Sequence, residues 1–259
     1  MPVAPQIVAH CRNVLSQHAA WMSVLPGLDS HGLADQVRDA ALLLDAIGDC
    51  CRRTYPNITC HGSQCEEDTI LAELLPEPTG VYVDLGAGEP MQCSNTWQFY
   101  KRGWRGLLVE PHPAFVYQLA RWRPGDCVFP VAVSDRSGMV PFYVDGTVSS
   151  CQSDWSNSAP DRPQAVECMT ATDILALPDF QGFRGDCSLC SIDVEGHERH
   201  VLTGIPWDVF TPKVFCVEYL KYATDDTRDD LSPEWEPILL EHGYTLHATT
   251  LLNKIYIKQ

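Results

Sequence analysis

Cationic side chains are scarce in this sequence: 18 Lys and Arg stand against 34 Asp and Glu, a formal net charge of −16. A surface that acidic repels phosphate backbones and anionic lipid, so neither nucleic acid nor a membrane face is expected as a partner. Long apolar runs are missing too, and none approaches the ~20 residues that span a bilayer. The opening residues, Met1 to Gln6, have neither the basic start nor the apolar centre of a secretory signal, so the expected location is the cytoplasm. Hydrophobic residues make up 45% and charged residues 20%, which excludes a disordered or fibrous chain. What remains is a globular chain of 259 residues whose negative field suits a small cationic ligand.

Zinc-ligand spacing is absent as well, despite twelve cysteines. Cys50, Cys51, Cys60 and Cys65 match no common pattern. Cys187 and Cys190 form a C-x-x-C, but they lie in an apolar run that reads as a strand. Residues three apart on a strand face opposite sides, so the pair is expected neither to share a metal nor to form a redox turn. The thiols are expected to be reduced and packed as small hydrophobes.

Apolar residues recur every three or four positions over Ile7–Leu15 and again over Leu33–Ile47, the mark of two amphipathic helices in residues 1–60. From Thr79 the pattern changes to short apolar runs alternating with helical segments. Val81–Leu85, Gly106–Glu110, Val128–Val133, Leu189–Asp193 and Val214–Glu218 are the strand candidates. Runs apolar on both faces belong to a parallel sheet covered by helices. Tyr244–Thr249 and Lys254–Lys258 alternate around Asn253 and read as a terminal antiparallel hairpin. The expected fold is therefore α/β: a Rossmann-like, seven-stranded, mostly parallel sheet spanning residues 61–259, with a helical cap over residues 1–60. The polar segment 145–165 reads as a long loop of the kind that serves as a lid.

Chemistry is concentrated first in Val83-Asp84-Leu85-Gly86-Ala87-Gly88. A strand ending in Asp and then Gly-x-Gly lets the backbone turn sharply and lets a ligand approach it. Position 91 is Met where a dinucleotide fingerprint has its third Gly, and no Gly-Lys-Ser/Thr follows for a nucleoside triphosphate. Glu110 lies 26 positions after Asp84, at the end of the next strand, where a carboxylate accepts hydrogen bonds from both ribose hydroxyls. An adenosine ligand without a pyrophosphate points to S-adenosylmethionine.

Six motifs in order carry a family resemblance: His61–Asp68, Val83–Gly88 with Ser94-Asn95-Thr96, Gly103–Pro113, Ala132–Asp135, Ile192–Glu198 and Val214–Glu218. From about residue 61 onward the chain resembles the FkbM-type methyltransferases, class I enzymes that use S-adenosylmethionine. The resemblance implies O-methylation of a hydroxyl on a sugar or natural-product scaffold, with N-methylation of an amide or amine as the alternative. A nucleotide-binding protein that has lost catalysis is the rival from another class. Carried onto the matching positions, the cofactor set is Gln64, Asp84, Gly86, Ala87, Gly88, Ser94, Asn95, Glu110, Pro111, Ser134, Asp135 and Asp193. Residues 1–60 fall outside the resemblance, and their apolar helices are expected to pair two copies of the chain across a two-fold axis.

Asp193, Glu195 and His197 are the catalytic candidates, because they follow a buried strand at the edge where open α/β sheets bind ligands. Asp193 faces the acceptor in this reading. His197, with an ordinary pKa near 6.5, suits removal of a hydroxyl proton. Glu198 is expected to serve the helix N-terminus instead. No metal ligand is assigned; a divalent ion held by Asp193 and Glu218 is the alternative to a protein base.

Overall fold

The computed structural model describes residues 62–145, 149–153, 155, 163–222 and 228–259, so the helices expected in residues 1–60 lie outside the described residues. In chain order the elements are α1 (Glu67–Leu74), β1 (Val81–Leu85), α2 (Trp97–Arg102), β2 (Arg105–Val109), α3 (Pro113–Trp122), β3 (Cys127–Phe129), β4 (Ala132–Ser134), β5 (Gly138–Phe142) and β6 (Gln164–Thr170). Then come α4 (Ala171–Ala176), α5 (Gly182–Gly185), β7 (Cys187–Ile192), α6 (Glu198–Thr203), β8 (Val214–Glu218), β9 (Leu220–Tyr222), β10 (Arg228–Asp230), α7 (Ser232–Glu241), β11 (Tyr244–Thr249) and β12 (Asn253–Lys258). No described helix is long and apolar enough to cross a membrane.

Seven strands form the main sheet in the order β11-β12-β8-β7-β1-β2-β3. The five central and β3-side strands pair in parallel, and β12 runs antiparallel to both β8 and β11. This is the expected α/β plan with its terminal antiparallel pair. Every residue of β7 and β8 is buried, as the doubly apolar runs require. Each large apolar side chain so buried contributes about 1.5–3 kcal/mol of transfer free energy. The chain leaves β1 toward β2 and β3, then returns to β7 and β8 on the other side. The order of strands therefore reverses between β1 and β7, and a crevice opens at their carboxyl ends.

In the Gly-Trp-Arg-Gly segment Gly103 ends α2 in the left-handed region at φ +101°, and Gly106 is there for packing. Gly106 pairs with Tyr82 across the sheet, and a Cβ on it would lie 1.9 Å from the Tyr82 ring. The Tyr82 ring occupies the space that any larger residue would fill.

Three sequence expectations change. The run Val128–Val133 is two strands, because Pro130 has no N–H for the ladder and the chain peels away there. Beyond it lies a second sheet, β4-β6-β5, whose strands β5 and β6 are too exposed to have read as core. Cys187 and Cys190 do not take opposite sides. An irregularity at the start of β7 places them against Val81 and Val83, two positions of one face of β1. Both are buried as thiols, as are Cys168 and Cys216.

Candidate active site

The turn after β1 is fixed by backbone bonds to its neighbours. Gly86 and Ala87 donate their N–H groups to the Val109 carbonyl at 2.9 and 3.2 Å, and Asp193 N–H donates to the Leu85 carbonyl at 3.0 Å. Gly86 has φ +80°, and a Cβ there would sit 1.8 Å from the Asp193 carbonyl oxygen. Its missing side chain makes room for the β7 backbone before it makes room for any ligand. Gly88, with φ +56°, has nothing within 4 Å of its Cβ position and faces open space.

Glu110 closes β2 and is pinned in place. Its Oε2 accepts from Gly88 N–H at 2.9 Å and its Oε1 from His112 N–H at 2.6 Å. Burial pushes its pKa up to about 7, against the lowering effect of those two bonds. His112 in turn caps α3, its Nδ1 accepting from Ala114 N–H at 3.1 Å, with Pro113 in the first helical position.

Opposite Glu110, the loop from β7 to α6 carries the catalytic candidates. Asp193 leaves the strand, and burial raises its pKa to about 6. Glu195 sits in the left-handed region at φ +53°. Burial and then the charge of Asp193 push it up to about 9, although Trp155 Nε1 donates to its Oε2 at 2.5 Å. Trp155 is seated on Gly196, where φ is +92° and a Cβ would come within 2.3 Å of the indole. Ser150 and Gln152 add bonds to the Glu195 and Gly196 carbonyls, so Ser150, Gln152 and Trp155 are strapped over this loop. Glu218 joins from the end of β8, raised well above the carboxylate range by burial and by Asp193. One ligand oxygen from each of Asp193, Glu195 and Glu218 lies within 4.8 Å of the others. Glu198 accepts from the Val194 and Gly196 N–H groups of the loop ahead of α6 and from its own N–H at the start of the helix.

His197 differs from its sequence expectation. Its Nε2 lies 2.9 Å from Ser134 Oγ, which itself donates to Asp135 at 3.1 Å. Its Nδ1 is buried without a hydrogen-bond partner, and its ring stacks on His200 at 4.1 Å. Burial, then His200, lowers its pKa to about 4, far from the expected 6.5. One nitrogen is engaged and the other enclosed, which suits a neutral packing group better than a proton acceptor.

These parts surround one cleft with about 1030 Å³ of empty space, its open mouth included. Of the residues named from the sequence, Gln64, Gly86, Ala87, Gly88, Glu110, Pro111, Asp193, Glu195 and His197 line it. Asp84, Ser94, Asn95, Ser134 and Asp135 do not. Asp84 accepts from Thr96 Oγ1 at 2.6 Å, Ser94 receives Arg123 at 3.3 Å, and Asn95 donates to Ser191 at 3.2 Å, all inside the core. Sequence reasoning missed the apolar walls, Phe115, Val131, Val133 and Phe142; of these only Val133 falls within a motif, Ala132–Asp135, where the polar neighbours drew the reading. Glu218 completes the acidic corner; the sequence had named it only with Asp193, as the alternative holder of a divalent ion.

Residues 84–246 match the family model of the methyltransferase FkbM domain. No curated protein matches this chain. Among solved structures, the chain is similar to the 1,6-didemethyltoxoflavin-N1-methyltransferase of Burkholderia thailandensis, crystallised with 1,6-didemethyltoxoflavin and S-adenosylhomocysteine. Identity is 15% over 90% of this chain and 92% of that one, with a TM-score of 0.42. It is also similar to a TehB-like SAM-dependent methyltransferase from Corynebacterium glutamicum, at 10% identity over 83% of this chain and 100% of that one, TM-score 0.42. A precorrin-6y C5,15-methyltransferase from Geobacter metallireducens shares 11% identity over 74% of this chain and 88% of that one, TM-score 0.39.

Proposed function

This chain belongs to the FkbM methyltransferase family and is an S-adenosylmethionine-dependent methyltransferase, and from that premise we propose that it methylates a hydroxyl oxygen of a sugar or natural-product small molecule. The observation that carries this reading is the carboxylate corner at the cleft wall, Asp193 beside Glu195 and Glu218. A hydroxyl becomes a competent nucleophile only as its proton leaves, and a carboxylate in hydrogen-bond reach speeds that step by about 10²–10⁴-fold. Asp193, next to the glycine turn, is the group assigned to it, and His197 becomes a support for the loop.

The cleft suits the family's cofactor. Glu110 offers a buried carboxyl to a ribose diol, Gly88 leaves its backbone approachable, and Phe115, Val131 and Phe142 supply apolar walls for an adenine. The cofactor supplies an electrophilic methyl group on a sulfonium. The chain's part is to hold the acceptor oxygen in line with that carbon and to receive its proton, and such positioning is worth about 7–11 kcal/mol of barrier at most. The net charge of −16 supports a small-molecule acceptor over nucleic acid or a lipid surface.

Methyl-labelled cofactor incubated with a panel of polyols, phenols, glycosides and amines tests the proposal. Labelled methyl ethers are expected. Label appearing only on nitrogen would replace the oxygen assignment with amine or amide methylation.

A further inference from the structure

Three carboxyl groups converge from separate stations on two adjacent parallel strands. Asp193 ends β7, Glu195 follows it in a left-handed conformation, and Glu218 ends β8. Their ligand oxygens lie within 4.8 Å of one another. Among the described residues no cationic side chain is ion-paired to any of the three. Carboxylates brought this close without a counter-charge are costly, so the arrangement calls for a cation.

A second observation points to the same place. Glu218 is 7% exposed, and its Oε2 is buried with no hydrogen-bond partner at all. Glu195, by contrast, is oriented, because Trp155 Nε1 donates to its Oε2. An indole fixing one oxygen of a ligand carboxylate is the usual work of a supporting shell around a metal.

We propose that Asp193, Glu195 and Glu218 hold a hard divalent cation, and that the acceptor hydroxyl binds to it. Oxygen ligands at about 2.0–2.6 Å from an ion lie at most about 4–5 Å apart across it, which accommodates the observed spacing. With carboxylates alone and no thiolate or imidazole among the three, the chemistry favours Mg²⁺, Mn²⁺ or Ca²⁺ over zinc. Three protein ligands leave roughly three positions of an octahedron for water and for the acceptor. On the cation the hydroxyl is more acidic, and its proton passes to the oxygen of Asp193 that is not on the ion. The oxygen pair then forms the bond to the methyl carbon, and the carbon–sulfur pair returns to sulfur to give S-adenosylhomocysteine. This role for the ion rests on the oxygen-acceptor reading; the site itself does not.

Titration of the full chain with Mn²⁺, followed by electron paramagnetic resonance, separates the two. Binding is expected with and without saturating S-adenosylhomocysteine, weakened at least tenfold by Glu218→Gln and by Glu195→Gln and unchanged by the surface control Glu234→Gln. Retained S-adenosylhomocysteine affinity shows that each variant is folded, and Glu195→Gln serves if Glu218→Gln is not. Mn²⁺ affinity indifferent to a folded corner variant overturns the site. So does its abolition by S-adenosylhomocysteine, which would give the corner to the cofactor's amino group. Tight Mn²⁺ binding together with methylation of amines alone would keep the site and remove the hydroxyl reading. Hydroxyl methylation that survives a chelator, with no Mn²⁺ bound, would do the reverse.

Discussion

Two clusters of charge lie along the same sheet, and they are built in opposite ways. At one, Arg123 is fully enclosed at the end of α3 and reaches Asp126 at 2.8 Å, Tyr82 at 2.7 Å and Thr96 at 3.0 Å. Thr96 passes the contact on to Asp84, and Tyr82 donates to Asp126 at 2.6 Å. A guanidinium has five donors in a planar fork, and here the fork finds hydroxyl and carboxylate acceptors on several sides. At the other cluster Asp193, Glu195 and Glu218 face one another with no guanidinium or ammonium ion-paired to them among the described residues. The first is complete without a ligand. The second persists because Gly86 packs on the Asp193 backbone, Glu195 is held at φ +53°, and Trp155 is clamped on Gly196. Strain and unpaired charge kept in place by surrounding structure are marks of function rather than of stability.

Removing the cation from the complete cluster is the strongest way to break the contrast. Arg123→Met should strand Asp126 and Asp84 as buried carboxyls without a counter-charge and cost about 3–5 kcal/mol of stability. Urea unfolding would show it as a lower midpoint at unchanged slope, and a loss under about 1 kcal/mol would mean that the network contributes little. The acidic corner should answer in the other sense. Burial holds the Glu218 carboxyl well above its ordinary value and so disfavours the charged form in the folded protein; Glu218→Gln removes that charge. The ligand-free variant should be more stable by about 1–2 kcal/mol while methyl transfer falls at least tenfold. Destabilisation with intact turnover would make Glu218 an ordinary core residue.

How much of this was legible in the sequence follows the same divide. The strand ends were, because buried runs such as Val214–Glu218 are apolar on both faces and stop at a carboxylate. Glu110 was legible from its spacing after Asp84, and the structure sets it at the cleft beside the glycine turn. The Arg123 cluster was not, since Tyr82, Ser94, Thr96, Arg123 and Asp126 share no period and meet only through the fold. For the same reason Ser94 and Asn95 looked like cofactor residues when their side chains serve the core. Trp155 sits in a polar segment, and only the left-handed backbone at Gly196 explains its seat. The tautomer and low pKa of His197 depend on Ser134 and on stacking with His200, neither visible in a local motif.

The gentlest test uses Glu110, which stands between the two clusters in kind: buried and acidic, yet satisfied by two backbone N–H groups. Its pKa in the ligand-free protein is pushed up to about 7. A ribose diol donates to the carboxylate form, so binding of S-adenosylhomocysteine should favour ionisation. If only that form binds, the ionised fraction rises about tenfold between one unit below and one unit above the pKa, and affinity rises with it. Calorimetry from about pH 6 to 8 should show this increase, with a proton released on binding at the lower end. Stability runs the other way. The folded value lies above the unfolded one, so the contribution of Glu110 is fully present below the ordinary glutamate pKa of 4.5 and is lost as pH rises through about 7. Glu110→Gln should flatten both profiles and weaken binding at pH 8 more than at pH 6. An affinity that is level with pH in the wild-type chain would show that the ribose is held elsewhere and that Glu110 serves only to brace the glycine turn.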